Sequence, residues 1–514
     1  MFVRLFNTHY FKRGITSHVY KGVVGLEVHA QLSSKSKLFS RAPNKFNAPV
    51  NSCVDNFDAA IPGTLPVLNK FCVEAAVKIG LVMNCILNMR STFDRKHYFY
   101  ADMPSGYQIT QQSNPIAKQG YIEFPIIHKK QVISKICKLI QIQLEQDSGK
   151  SLHDIEARKV LIDLNRAGAP LVEFVFCPDL EDGYQAAALV KELCLILTAI
   201  KVCSCKMEEG ALRVDANVSV HKPGQPLGTR TEVKNIGSIS GIQHAVDYEI
   251  NRQTDILMKN GRIINETRTW DAVKQKTLPM RDKEVVLDYR FIPEPNLLPV
   301  YLSNEDTDEE NVVSITRLAK KIPELPSQSR MRLINEYHLN DITAFLLVDD
   351  LELLKIFDKI LSDNPNRNPK YVSNILTNNV RTLCNKKKCQ IIDLKLTHIQ
   401  IGQVVDLLEN QTINQNFVLP ILEILEKNEN YTAEIIVENK NWQQILDNDT
   451  IENVCRNIIK NNSKLVNQYF KGKDKTFFAL AGLIAKEMDG RINMGKATEK
   501  LKSILNEEKD IRNK

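Results

Sequence analysis

One stretch restricts this chain more than any other: LRVDANVSV, Leu212 to Val220, in which apolar and polar residues alternate without a break. A period of two selects a β-strand with one buried face. Leu212, Val214, Ala216, Val218 and Val220 take that face; Arg213, Asp215, Asn217 and Ser219 take the other. A cation, a carboxylate, an amide and a hydroxyl then stand in a row, each about 7 Å from the next. A solvated strand face could carry the same groups. What decides between a solvated face and a working one is whether other strands repeat the construction.

Several do. KGVVGLEVHAQL, from Lys21, sets Val24, Leu26, Val28, Ala30 and Leu32 against Glu27, His29 and Gln31. Residues 160–179 read as two short strands around a Gly168/Pro170 turn, with Asp163, Asn165 and Glu173 as polar positions. TEVKN offers Glu232 and Lys234 on one face, and Glu145 and Asp147 are again two residues apart. Glu208 and Glu209 stand just upstream of Leu212. Helical spacing appears from Phe71 to Met83 and from about Ile242 to Lys259.

Carboxylates facing one cavity repel unless cations lie between them. Mg²⁺ prefers such oxygen ligands and brings a nucleotide phosphate with it. The usual phosphate loop is missing: Gly149-Lys150-Ser151 lacks the earlier glycine of a Walker motif, whose place Leu144 holds. GSISG is no hydrolase elbow either, because its central residue is Ile239. In residues 93–117, FDRKHYFYADMPSGYQITQQSNPIA, aromatics interleave with Arg95, Lys96 and His97. That mixture suits stacking on a base beside a phosphate, or a hairpin whose Tyr98 and Tyr100 fill a core.

At 514 residues there is room for two to four domains. Sixty-eight Lys and Arg against 61 Asp and Glu leave a net charge of +7, mild but compatible with an RNA partner. No apolar run approaches the ~20 residues of a membrane span, so no membrane partner is expected. The eleven cysteines form no C-x-x-C pair and read as reduced thiols. Residues 1–20 contain Arg4, Lys12 and Arg13 and no acid, the pattern of a mitochondrial transit peptide. Beyond about Val300 the chain turns Lys/Asn/Leu-rich and helical, with NPNRNPK (364–370) as a linker. Its last part has an apolar seam of Phe477, Phe478, Leu480, Ala481, Ile484 and Met488, preceded by Lys471, Lys473 and Lys475.

GLEVHAQL, FDRKHYFYADMPSGYQITQ, DLNRAGAPLVE, MEEGALRVDANVSV, EVKN and MRDKE…DYRFIPEP together resemble, in order, the GatB family of aspartyl/glutamyl-tRNA amidotransferase components, in its mitochondrial form. The resemblance covers about residues 21–300, and FFALAGLIAKEMDGRINMGKATEKLKSIL more loosely resembles the family's YqeY-like tail. It implies an α+β protein. An N-terminal mixed or antiparallel-sheet cradle (21–302) would precede an all-helical domain (303–445) and a small helical YqeY-like tail (446–514).

It also implies a reaction in the mitochondrial matrix. ATP phosphorylates the side-chain carboxylate of glutamate on mischarged tRNA(Gln), and ammonia then displaces the phosphate. Mg²⁺ would be held by Glu27, His29 and Glu145 with a carboxylate from Glu208 or Glu209. Lys234 and Arg281 join Glu27 and His29 as catalytic candidates, and Arg213, Asp215, Asn217 and Lys283 as nucleotide contacts. The chain shows no amidase Ser-Ser-Lys signature, so a glutaminase subunit, GatA, would supply ammonia, with small GatC completing a heterotrimer. The competing reading is a non-catalytic tRNA-binding scaffold for the amidase.

Three positions depart from the family pattern. Only Cys53 remains of a cysteine-bearing loop, Gln146 replaces an acid beside Glu145, and Gly237 stands where relatives commonly carry Asn.

Overall fold

The computed structural model describes residues 19–513 apart from 155, 281–287, 308, 310, 311 and 429. The chain divides into two compact units, the first ending at Met331 and the second beginning at Arg332. Nine strands of the first unit form one mixed sheet: β1 (Lys21–Gln31), β2 (Ile86–Leu87), β3 (Ala117–His128), β4 (Gln131–Gln146), β5 (Pro170–Phe176), β6 (Leu212–His221), β7 (Thr231–Lys234), β8 (Thr267–Asp271) and β9 (Lys276–Pro279). They lie in the order β9-β8-β7-β6-β1-β5-β4-β3-β2. Only the β7–β8 pair is parallel.

The alternating residues divide as their spacing demands. Leu26 and Val28 of β1 and Val214 and Val218 of β6 are at most 1% exposed. Each contributes roughly 1.5–3 kcal/mol by leaving water. Helices α1 (Lys70–Val82), α2 (Gly183–Ala199) and α3 (Ile239–Met258) share this core, and α3 packs on β6 and α2 on β3. Each helix opens on a polar cap. Asn69, Asp182 and Ser238 accept from the backbone N–H of Phe71, Gln185 and Gly241, satisfying donors that the first turn leaves free. The unit continues past residue 302. The strand Val300–Ser303 pairs with Arg90–Ser91, and the helix Ile315–Ala319 packs on α1.

The second unit is built of helices around two apolar clusters, one from Leu333 to Val437 and one from Ile451 to Leu505. This is the expected α+β organisation. The 364–370 stretch, expected as a linker, is a fastened turn: Arg367 makes two bonds of 2.7 Å to Asp406. The expected seam of the last cluster holds at Leu480, Ala481 and Ile484, but Phe478 is 73% exposed. It lies on the flank of that helix, away from the centre of the stripe. All eleven cysteines are free. Among the described residues no helix is long and apolar enough to cross a membrane.

Candidate active site

Strand register assembles the polar face. His29 of β1 sits between Glu173 of β5 and Arg213 of β6, and Glu173 faces Gln143 of β4. One step along, Glu27 faces Asp215. Directly opposed residues project to the same side with Cβ atoms about 4.5–5.5 Å apart. Four strands thus pool their charged groups.

The tightest grouping is His29, Glu145 and Glu173, whose ligand atoms all lie within 4.8 Å of one another. His29 Nδ1 is 3.1 Å from Glu145 Oε1. Thr110 Oγ1 donates to Glu145 Oε2 at 3.3 Å, and Gln143 Nε2 donates to Glu173. Burial alone would lower the imidazole pKa, but the Glu145 hydrogen bond and charge, with Glu173 behind, raise it to about 9. Burial and the Glu145 charge push Glu173 up to about 7. Burial also works to raise Glu145, yet its bond to His29 prevails and holds it below the usual range. Glu173 and His29 thus retain protons that a divalent cation would displace. The donor set fits such a cation: the carboxylate oxygens suit Mg²⁺, and the imidazole admits Mn²⁺ as well.

His29 and Glu145 of this cluster line a cavity of about 460 Å³, a volume within the range of small-ligand sites. Lys96 and Tyr98 enter from the strand Asp94–His97 and the loop after it, Arg213 and Asp215 from β6, and Lys234 from the end of β7. Lys96 Nζ sits 4.7 Å above the Tyr289 ring. Lys234 Nζ is 3.6 Å from Glu232. Arg213 Nη2 donates to buried Asp147 at 2.8 Å, and Arg166 Nε lies 3.6 Å from the same carboxylate. Burial raises the Asp215 carboxyl pKa, with Lys234 opposing. Burial, with Glu145 and Asp147 adding, raises the Tyr98 phenol pKa, so it remains a donor.

Of the residues singled out in the sequence, His29, Glu145, Arg213, Asp215 and Lys234 line this cavity together. Glu27 and Asn217 lie on the same sheet face and bond each other at 3.0 Å. Glu208 and Glu209 are not brought to the cluster. They occupy a short turn before β6 that closes at Gly210 with φ 73°, where Glu208 is exposed and Glu209 pairs with Lys206 at 2.8 Å. The carboxylate that stands beside His29 and Glu145 is Glu173. Arg281 and Lys283 lie outside the described residues.

Glu173, Asp147, Lys96 and Tyr98 stand out in the sequence as polar or aromatic positions, but it assigns none of them a place among the site residues. A lone carboxylate inside the apolar run PLVEFVF is the available signal for Glu173. Gln146 points to the opposite side of β4 from Glu145, because successive strand residues alternate. The acid missing there is therefore no loss to the cluster. Gly237 lines the cavity, and a Cβ at that position would meet nothing within 4 Å.

The family model described as the GatB/GatE catalytic domain matches residues 22–308, and the GatB domain model matches residues 355–505. The B component of the mitochondrial glutamyl-tRNA(Gln) amidotransferase of Aedes aegypti is 50% identical over 493 residues, 95% of this chain and 93% of that protein. The chain belongs to the GatB family. The Drosophila melanogaster protein of the same name is 49% identical over 95% of both chains. The corresponding B component of the aspartyl/glutamyl-tRNA(Asn/Gln) amidotransferase of Rickettsia rickettsii (strain Sheila Smith) is 41% identical over 94% of this chain and 97% of its own. The insect relatives are mitochondrial forms, and so is this chain. Its place in the family is that of one component of a multisubunit amidotransferase.

Proposed function

We propose that the 460 Å³ cavity is where glutamate carried by tRNA(Gln) is activated by ATP and converted to glutamine. One observation carries the reading: His29 and Glu145, two members of a group with metal-ligand spacing, line a single space together with three side-chain cations, Lys96, Arg213 and Lys234. A carboxylate is too poor an electrophile for ammonia. Transfer of the ATP γ-phosphoryl to a side-chain oxygen makes an acyl phosphate and ADP. Ammonia then forms the C–N bond, the C–O bond to phosphate breaks, and a proton leaves the nitrogen.

His29, Glu145 and Glu173 would hold Mg²⁺, with Glu27 and Asn217 beside them. The metal supplies charge neutralisation at the phosphoryl oxygens. Lys234 and Lys96 place positive charge where the transferring phosphoryl and the acyl oxygen develop negative charge. Arg213, held by Asp147, presents a planar guanidinium to phosphate. Asp215 and the Tyr98 phenol add an acceptor and a donor to the same walls. Arg281 and Lys283 remain candidate phosphate contacts on sequence grounds.

Ammonia comes from a glutaminase subunit, GatA, and GatC completes the heterotrimer. Residues 1–20 act as the transit peptide, with the cradle running on to Met331, the helical domain from there to 445 and the tail beyond. The test is amidation by the purified complex: Glu-tRNA(Gln), glutamine, ATP and Mg²⁺ should yield Gln-tRNA(Gln) and ADP together. Full amidation without ATP, or none with it, would overturn the assignment; a scaffold predicts that cavity substitutions leave the rate unchanged.

A further inference from the structure

Phe99 is 87% exposed and Tyr100 is 60% exposed, on the loop that carries Tyr98 into the cavity. That loop is tightly built. Tyr98 N–H donates to Gly106 at 3.1 Å, and the Met103 and Gly106 N–H groups close turns onto Tyr100 and Met103 at 3.0 and 2.9 Å. Gly149 N–H and Ser151 Oγ hold Asp102 from outside. Met103 anchors the loop at 4% exposure.

The Phe99 ring lies over Gly106, where an added Cβ would come within 2.9 Å of it. Gly106 itself has φ 72°, a conformation open to glycine. One face of Phe99 thus has a glycine floor while most of the side chain meets solvent. Tyr100 stands edge-on to Tyr98 at 5.5 Å, and Tyr98 edge-on to Tyr289 at 6.4 Å, beneath the Lys96 ammonium. An aromatic ridge therefore runs from the cavity wall to open solvent, with positive charge beside it.

We infer that Phe99 and Tyr100 form a stacking platform for the unpaired 3′ nucleotides of the RNA substrate. This rests on the proposed function. An amino acid esterified to the terminal ribose reaches the cluster only if the terminal nucleotides cross the cavity rim, and Tyr98 joins that rim to the exposed Tyr100 ring, with Phe99 exposed between them in the chain. Rigidly held aromatic faces with a lysine nearby take bases of any sequence. A protein partner is the competing occupant.

The assembled complex carrying Phe99→Ala with Tyr100→Ala tests it, alongside Phe99→Trp. Stacking predicts a rise in KM for Glu-tRNA of roughly tenfold, the scale of one lost base–aromatic contact, with kcat within about twofold. Phe99→Trp should keep the wild-type KM. Binding of a tRNA stripped of its single-stranded 3′ nucleotides should not respond to the double substitution. An unchanged KM, equal weakening for intact and stripped tRNA, or loss of a subunit from the complex would each overturn the platform. If the wild-type complex fails to amidate, it is the proposed function that falls instead.

Discussion

Glu173→Gln should have two effects of opposite sign. The substitution keeps the side chain's shape and its bond from Gln143 but removes one negative charge from the cluster with His29 and Glu145. In metal-free protein the Glu173 carboxyl is raised from 4.5 to about 7. A raised carboxyl binds more protons folded than unfolded, so its destabilising effect is absent below about pH 4.5. It grows as pH rises from about 4.5 and is complete above about 7. The full difference, about 2.5 pKa units, corresponds to about 3 kcal/mol. Urea unfolding in EDTA at pH 8 should therefore find Glu173→Gln more stable than wild type, by about 1–3 kcal/mol once the cost of burying the amide is subtracted. At pH 4.5 that advantage should be gone. In Mg²⁺ the order should reverse: a lost ligand should raise the metal concentration needed for half-maximal amidation by at least the 10–100-fold seen for outer partners of metal ligands. Equal stability at pH 8, or an unaltered metal requirement, would refute the cluster as a charge-crowded cation site.

Glu145→Gln should reduce Mg²⁺-dependent ADP formation more than Glu27→Gln, because Glu145 bonds His29 while Glu27 bonds Asn217 one row away; the reverse ranking in an ADP-release assay would move the metal toward Glu27. Lys234→Met removes the charge and keeps most of the length, and amidation should fall about 10²-fold, with glutamine hydrolysis by the partner much less affected. A drop of only about twofold would mark Lys234 as an ion-pair partner of Glu232 at 3.6 Å. Asp147→Asn should lower kcat about tenfold or more by freeing Arg213, with intact folding by circular dichroism; wild-type kcat would show that Arg213 needs no anchor. Deleting residues 446–514 removes the last apolar cluster and exposed Lys471, Lys473 and Lys475. Filter binding should show weaker tRNA affinity and a shallower salt dependence, while partner assembly survives.

Much of this architecture is legible in the sequence because alternation is a local property. Lys21–Gln31 and Leu212–His221 are strands for reasons contained in their own residues, and their polar faces follow from parity. Register is not local. Nothing within a strand says that His29 will face Glu173 on one side and Arg213 on the other. Adjacency to β6 in sequence favours Glu208 and Glu209, whereas space favours Glu173, a lone charge in a strand otherwise built for the core. The same rule applies at Phe478: helical spacing identifies the stripe but leaves its edges to the neighbours. Tyr98 and Tyr100 differ by two residues, yet one lines the cavity and the other stands 60% exposed outside it, because the strand ends at His97 and Tyr100 already belongs to the turn closed by the Met103 N–H. Chemistry is thus readable where a face is enough. It is unreadable where two distant strands have to meet, and a metal cluster or a phosphate contact is always such a meeting.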